Sequence, residues 1–263
     1  MKKIHLLLFI SIILWSSCQP NKTQEKEEKE EKTSESKNTK DSSQKEEKTE
    51  KTNQALSLGG IWYIPEMQTA LLIVWQKDKI ATLMQAKGNA KFSKINLLSQ
   101  GNGDMGFDFS YSLPSEPKTT YEAVVSFSPM GANLSIRTKG NAQFMGSGTL
   151  VIQNDNPSDY TQLTALECMR EWFQKAAYID YSTNHEIRAD AQEGTKTNEL
   201  FLIYKHKEGK EESITATINA KTHELTFNSP SIGRVRMKLN ASGFELFDNN
   251  NLSKGNFSIK PPQ

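Results

Sequence analysis

The stretch MGFDFSYSL, residues 105–113, decides the fold. Its apolar side chains alternate with Gly, Asp and Ser, and a period of two is typical of a strand with one dry and one wet face. Short apolar runs of similar length recur on both sides of it, separated by turns rich in Gly, Pro, Asn and Ser. This spacing predicts a mainly β protein with antiparallel strands in a meander or barrel-like arrangement.

One segment instead has the spacing of an amphipathic helix. Apolar side chains recur at helical intervals from Tyr160 to Ala176, and charged residues occupy the other face. Asp159 is expected to cap this helix, with Gln162 completing a capping box. Cys168, in its middle, is expected to be a core residue rather than a nucleophile. Strands resume at Glu186, so two series of strands flank one helix.

Composition divides the chain into four regions. Residues 1–17 form a predicted signal peptide, and 18–54 a lipidated cysteine with a disordered charged tether. This tether interleaves lysines with acidic residues and lacks aromatic and aliphatic side chains, so nothing offsets the entropy of ordering. Residues 55–153 form an N-terminal β region, and 154–263 a helix plus a C-terminal β region. These two could be separate subdomains or one sheet system closed by the helix.

The N-terminus has the layout of a secretory signal. Lys2 and Lys3 precede a short apolar run, residues 4–15, and small residues lie directly before Cys18. The run is too short to span a bilayer as a helix. The sequence Leu14-Trp15-Ser16-Ser17-Cys18 resembles the lipobox of bacterial lipoproteins, although that family usually has Leu where Trp15 stands. An ordinary secretory signal is the alternative.

The lipobox resemblance implies a location. In that family the cysteine is lipidated and becomes the acylated N-terminus, which would attach the protein to the membrane through Cys18. The residues that follow Cys18 resemble the start of surface-exported lipoproteins of the Bacteroidota. The expected location is therefore the cell envelope, on the outer membrane, at its surface or its periplasmic face.

A second resemblance concerns the first strand of the body. The pair Gly60-x-Trp62 resembles the opening of lipocalin-type barrels, in which Trp plugs the barrel base and Gly lets it pack. This resemblance implies a barrel that holds a small apolar ligand. The aromatic residues expected to contact such a ligand are Trp62, Trp75, Phe107 and Phe109. The alternative is that Trp62 is simply an inward-facing core residue.

A basic face is predicted late in the chain. Arg234, Arg236 and Lys238 alternate with apolar residues, so the strand has one dry and one basic face. Such a face could hold an anionic partner. A solvated strand face is the alternative.

No motif identifies a chemistry. His185-Glu186 and His223-Glu224 are the only paired acid–base candidates, and neither has metal-ligand spacing. Each lies beside a turn, where polar residues are common. We therefore predict no catalytic residues, no metal site and no cofactor. With 32 basic and 31 acidic residues, the chain also lacks the excess of positive charge expected for nucleic-acid binding.

The function expected from sequence is that of a lipid-anchored envelope module that binds a small apolar ligand or an envelope protein. One alternative is an envelope enzyme, such as a hydrolase, with its catalytic residues dispersed over several strands. Another is a structural or assembly lipoprotein, for which a large exposed apolar patch would be the sign.

Overall fold

The computed structural model describes residues 58–77, 79–103, 106–128, 131–153, 157–190 and 196–261. The predicted signal peptide, Cys18 with its predicted lipidation and the predicted tether lie outside these residues, as does Met105. Within them the mainly β prediction is confirmed, because two antiparallel strand systems flank a single α-helix.

The first strand system, here called the sheet lobe, has nine antiparallel strands. They are β1 (Gly60–Ile64), β2 (Thr69–Gln76), β3 (Lys79–Lys87), β4 (Ser93–Lys94), β5 (Asn96–Gly103), β6 (Gly106–Leu113), β7 (Glu116–Ser128), β8 (Gly131–Thr138) and β9 (Phe144–Gln153). Their order across the sheet is β4-β3-β2-β1-β9-β8-β7-β6-β5. Consecutive strands therefore lie side by side, except β4 and β5, and β1 pairs with β9.

Two central strands of this lobe are buried on both faces. Every residue of β1 is buried, as are the first five of β2, which fits their nearly continuous apolar sequences. Alternate side chains such as Trp62 and Leu71 point into the lobe's own core. Their neighbours, including Tyr63 and Leu72, enter a second core that also contains the helix and the later strands.

The two edges of the sheet lobe approach each other. β4 pairs with β3, and one residue later β5 begins to pair with β6. The intervening Ile95 donates its backbone N–H to the Leu83 carbonyl at 3.2 Å. The segment 93–103 thus contacts both edges, and the sheet rolls into a barrel-like shape.

The helix α1 (Ala165–Gln174) begins later than its apolar spacing indicated. Thr164 is its N-cap: the Glu167 N–H donates to the Thr164 hydroxyl at 3.2 Å, and the Glu167 carboxylate accepts from the Thr164 N–H at 2.7 Å. This capping box replaces the predicted one at Asp159. Gln162 instead accepts from the Lys91 ammonium, and residues 157–160 form a 3₁₀ turn. Cys168 is buried, as predicted.

The second strand system is a closed antiparallel barrel, which together with α1 is called the barrel lobe. Its strands are β10 (Ala177–Asp180), β11 (His185–Asp190), β12 (Glu199–Lys205), β13 (Glu211–Ile218), β14 (Leu225–Ser229), β15 (Gly233–Asn240), β16 (Gly243–Asp248) and β17 (Ser253–Ile259). The sequence pattern missed β10, which pairs with both β11 and β17 and completes the closure.

One end of this barrel is docked onto the sheet lobe. α1 precedes β10 at that end, where Phe173 packs on Tyr178 and Phe244 with ring centroids 5.4 and 5.8 Å apart. The turns 219–224 and 241–242 lie at the same end, and the turns 206–210 and 230–232 lie at the opposite, free end. The barrel interior, α1 and the outer face of β1 and β2 form one continuous apolar core.

Candidate functional site

One cavity in the described part of the chain lies between the two lobes. This interlobe cleft has a volume of about 520 Å³. It is lined by Pro65, Glu66, Gln68, Thr222, His223, Glu224, Arg236, Lys238 and Leu239. Ligand sites in proteins are frequent at such boundaries between structural units. The cleft is therefore the first candidate for a functional site.

Two of the residues that line it have strained backbones. Gln68 follows the 3₁₀ turn Pro65–Met67 with a φ of 51°, and His223 has a φ of 52° at the end of a turn in which its N–H donates to the Asn219 carbonyl. The left-handed region is uncommon for residues other than glycine and costs roughly 1–3 kcal/mol. Such strain persists only where the surrounding structure determines the backbone conformation. In the cleft, each lobe contributes one strained residue.

His223 forms the buried polar link between the lobes. Its Nδ1 lies 2.7 Å from the Tyr63 hydroxyl, and both side chains are almost completely buried. If the hydroxyl donates to Nδ1, both of these atoms are satisfied and the proton of the neutral imidazole lies on Nε2. Nε2 has no hydrogen-bond partner among the described residues. His223 thus carries one unsatisfied N–H in the wall of the cleft.

Burial also sets the protonation of this pair. Desolvation lowers the pKa of His223 to about 4, which keeps the imidazole neutral at neutral pH. Desolvation, followed by the charges of Cys168 and Glu66, raises the pKa of Tyr63 well above its ordinary value. The pair is consequently a fixed, uncharged hydrogen bond.

The predicted basic face is brought partly into the cleft. Arg236 and Lys238 line it, whereas Arg234, on the same face of β15, does not. Arg236 donates to the Glu224 carboxylate at 2.5 Å and to the Asn251 side chain, and it lies over the Phe247 ring. Lys238 is exposed and has no ion pair within the described part of the chain.

Glu66 fixes the opposite wall. One carboxylate oxygen accepts the Ala241 N–H at 2.9 Å, from the turn that joins β15 and β16. The other accepts the Ser147 N–H at 3.3 Å, from β9. Both oxygens of Glu66 are therefore occupied by backbone donors, and Glu224 is paired with Arg236. Lys238 is the cation of the cleft that forms no ion pair among the described residues, and Glu245 lies opposite it on β16.

The predicted aromatic ligand residues divide into two groups. Trp62 is fully buried and donates its indole N–H to the Leu58 carbonyl at 3.2 Å, and Phe109 is buried beside Tyr111. Trp75 and Phe107 instead line a smaller cavity of about 170 Å³, here called the seam pocket. Its other lining residues are Lys79, Gln100, Gly101 and Asn102.

A third cavity of about 420 Å³ lies along β6, β7 and β8. Its lining includes Asp108, Glu122 and Arg137, and the last two form an exposed ion pair at 2.9 Å. Exposed ion pairs of this kind contribute little binding or folding energy. This groove is a weaker candidate than the cleft.

The hydrolase alternative can be compared with a polar cluster at the free end of the barrel. His206 Nε2 lies 2.8 Å from the Glu212 carboxylate and 3.4 Å from the Ser231 hydroxyl. A Ser-His-carboxylate triad needs the serine and the carboxylate on different ring nitrogens. Here both contact the same nitrogen. Burial alone would raise the pKa of Glu212, but hydrogen bonds from Ser229, Ser231 and His206 hold it at about 2.

The other sequence candidates for chemistry are placed as follows. His185 lies near the free end of the barrel, where its Nδ1 meets the Tyr204 hydroxyl. Burial, followed by the charges of Glu167 and Glu171, raises the pKa of the Cys168 thiol to about 12. In the described ranges no three His, Cys, Asp or Glu side chains converge as a metal site. None of the helices in these ranges is long and apolar enough to cross a membrane.

Sequence reasoning missed Tyr63, Glu66 and the burial of His223. The unbroken apolar run of β1 could have indicated that Tyr63 faces a core and that its hydroxyl needs a buried partner. That the partner is His223, 160 residues away in sequence, depends on how the lobes dock. No local pattern carries this information.

Comparison with known proteins gave no match: no family model, no curated protein and no solved structure is significantly similar to this chain.

Proposed function

We propose that this protein is a lipid-anchored cell-envelope binding protein whose ligand occupies the interlobe cleft. The lipobox-like sequence ending at Cys18 supports the anchor, and the charged tether of residues 19–54 would hold the body away from the membrane. The location that follows is the outer membrane.

A single observation carries the proposal for the cleft. A cavity of about 520 Å³ between the lobes is lined by two cations, Arg236 and Lys238, and Lys238 forms no ion pair among the described residues, although Glu245 lies opposite it on β16. Glu66 links the two lobes beside it, because its carboxylate accepts backbone N–H groups from β9 and from the turn between β15 and β16. A cleft between linked lobes that presents cations is suited to hold an anionic group.

The ligand that fits is a small molecule, or a segment of an envelope protein, with an anionic group. Lys238 and Arg236 would hold the anionic group, and Leu239 and Pro65 would contact apolar atoms. An arginine that stays hydrogen-bonded to a carboxylate still presents further N–H donors to a ligand. The small apolar ligand of the sequence analysis is thereby replaced, for this site, by one that carries a charge.

Native mass spectrometry of the intact protein, purified mildly from its own cells, tests this. We expect the wild type to carry a non-covalent mass that is lost in Lys238→Met and retained in Arg234→Met. Arg234 is a matched control because it lies on the same face of β15 but outside the cleft. A bare chain in the wild type, or equal retention in Lys238→Met, would contradict the proposal.

The anchor is tested separately by metabolic labelling with palmitate. The wild type is expected to take up label, and Cys18→Ala is expected to lose it and to leave the membrane fraction. Equal labelling of the two proteins would remove the lipid anchor from the proposal without affecting the cleft.

A further inference from the structure

The interior of the barrel changes character at its free end. Over most of the barrel the inward side chains are apolar, and they form one core with α1. In the layer next to the free-end turns, the rows of inward residues end in polar side chains, namely Asp180, His185, Tyr204, His206, Glu212 and Ser229. Polar groups inside a protein are costly unless they are paired, so this layer calls for an account of its partners.

Two histidines of this layer face each other. Glu186 on β11 pairs with Lys205 on β12, so the next residues toward the free end, His185 and His206, lie opposite each other. Their ring centroids are 5.4 Å apart, and the ring planes meet at 70°. Two imidazoles that share a tetrahedral metal ion, each with a metal–nitrogen distance of about 2.0–2.1 Å, have centroids about 5 Å apart. The separation of the two rings therefore suits one metal ion between them.

The His206 ring is held through one of its two nitrogens. Nε2 lies 2.8 Å from one oxygen of the Glu212 carboxylate, whose other oxygen accepts from the Ser229 hydroxyl at 2.7 Å. A carboxylate only accepts hydrogen bonds, so Nε2 of the neutral imidazole carries the proton. The lone pair of His206 is then on Nδ1, which has no hydrogen-bond partner among the described residues.

The His185 ring is also held through a single nitrogen. Its Nδ1 meets the Tyr204 hydroxyl, and in the tautomer in which Nδ1 donates to this oxygen the lone pair lies on Nε2. Both histidines are partly exposed, and neither lone-pair nitrogen belongs to the buried polar atoms that lack a partner in the described part of the chain, so solvent reaches both. Histidines that bind metals typically show this arrangement, in which a protein group fixes one ring nitrogen and the other faces the metal.

The charge at this end of the barrel favours a cation. The carboxylates of Asp180 and Glu212 are both buried here, and Asp180 lies opposite His185 in the pairing of β10 with β11. Charges interact more strongly where water is partly excluded than they do in bulk water. No third His, Cys, Asp or Glu side chain in the described ranges joins the two imidazoles as a metal cluster. Two protein ligands would therefore leave the other coordination positions to water.

We propose that the free end of the barrel binds a divalent transition metal ion through His185 Nε2 and His206 Nδ1, with Cu²⁺ bound more tightly than Zn²⁺. Imidazole suits both ions, and a site with only two protein ligands follows the general order of affinities, in which Cu²⁺ exceeds Zn²⁺. Tyr204 and Glu212 are positioning residues that orient the rings. The site lies at the opposite end of the barrel from the interlobe cleft and does not depend on the function proposed for the cleft.

The test uses the intact protein, stripped of metal with a chelator and labelled with ¹⁵N-histidine. Zn²⁺ is added first because it is diamagnetic, and NMR follows each ring nitrogen. The resonances of His185 Nε2 and His206 Nδ1 are expected to shift together, while both ring nitrogens of His223, at the other end of the barrel, stay in place. Titration calorimetry is then expected to show one Cu²⁺ per chain, bound at least about tenfold more tightly than Zn²⁺.

Variants locate the ligands and the positioning residues. His185→Gln and His206→Gln should each weaken Cu²⁺ binding by more than about tenfold, and Tyr204→Phe, which removes only the partner of His185, by about tenfold. Lys207→Met is the matched control, because Lys207 is exposed beside His206 and carries no ring nitrogen, and it should bind Cu²⁺ as the wild type does. Far-UV circular dichroism verifies that each variant is folded.

The proposal is overturned if Zn²⁺ leaves the His185 and His206 resonances in place, if it shifts other ring nitrogens instead, or if either histidine variant binds Cu²⁺ as tightly as the wild type does. The Zn²⁺ titration needs only the wild type, so the test stands even where a variant does not fold. None of these results bears on the interlobe cleft, whose own test depends on Lys238.

Discussion

Single glycines decide where neighbouring strands approach closely in this protein, and Gly60 is one clear case. Its φ is 136°, and a Cβ placed there would lie 2.0 Å from the Ile152 carbonyl oxygen on β9. Only glycine allows β1 and β9 to pair at this point. The Gly60-x-Trp62 pair noted in the sequence is thus explained by strand pairing in the structure.

Gly60→Ala should lower the free energy of unfolding by about 3 kcal/mol, because both the backbone angle and the contact with β9 are violated. Gly209→Ala is the control: its φ is 86°, but a Cβ there meets no atom within 4 Å. Gly209→Ala should lower the free energy of unfolding by only about 1 kcal/mol. Urea unfolding measures the free energy of unfolding of both variants. An equal decrease in the two would show that the contact with Ile152 is unimportant.

His223 makes stability depend on pH. Burial lowers its pKa in the folded protein to about 4, below the ordinary value near 6.5 that applies to the unfolded chain. The unfolded chain therefore binds this proton first as the pH falls. Stability contributed by the neutral imidazole is complete above about pH 6.5 and decreases as the pH falls toward 4, by about 3 kcal/mol in total.

The check is urea unfolding between pH 7 and pH 4 of the wild type and of His223→Gln, which cannot titrate. The other charged side chains that line the cleft, Glu66, Glu224, Arg236 and Lys238, are present in both proteins, so the difference between the two curves isolates His223. We expect the difference in the free energy of unfolding between the wild type and His223→Gln to decrease from pH 7 to pH 4, because the wild type loses stability faster. Parallel curves would show that His223 is not held neutral.

At the scale of elements, the sequence predicts strands better than it predicts the helix start. The alternation in β6 and the apolar runs of β1 and β2 identify strands because the side-chain period is a local property. Two capping boxes compete before α1, and the apolar spacing from Tyr160 favours the wrong one. Thr164 takes the cap: its backbone is extended and forms an isolated β-bridge with Lys91, from the other lobe.

The N-cap at Thr164 is expected to contribute measurably to the free energy of unfolding. Thr164→Ala removes the acceptor of the Glu167 N–H and should lower the free energy of unfolding by about 1 kcal/mol. Thr164→Ser keeps the hydroxyl and should stay close to the wild type. Chemical unfolding compares the three proteins. A loss in Thr164→Ser as large as that in Thr164→Ala would mean that packing of the threonine methyl, and not the cap, is what matters.

At the scale of the whole molecule, the pairing of consecutive strands was predictable, whereas the pairing of β1 with β9 and the docking of the lobes were not. Consecutive strands pair because their turns are short, so a meander follows from the sequence. The interlobe cleft instead depends on contacts between distant residues, such as Tyr63 with His223 and Glu66 with Ala241. The basic face was visible in the sequence, but its position in a cleft required the fold.

The most direct test of a ligand in the interlobe cleft is lysine footprinting with acetic anhydride. The protein is labelled as purified from its own cells, and again after unfolding, exhaustive dialysis and refolding to remove any ligand. Lys238 is expected to react more slowly before ligand removal than after it, while Lys210, in a turn at the free end of the barrel, reacts equally in both samples. Equal reactivity of Lys238 in the two samples would contradict the account.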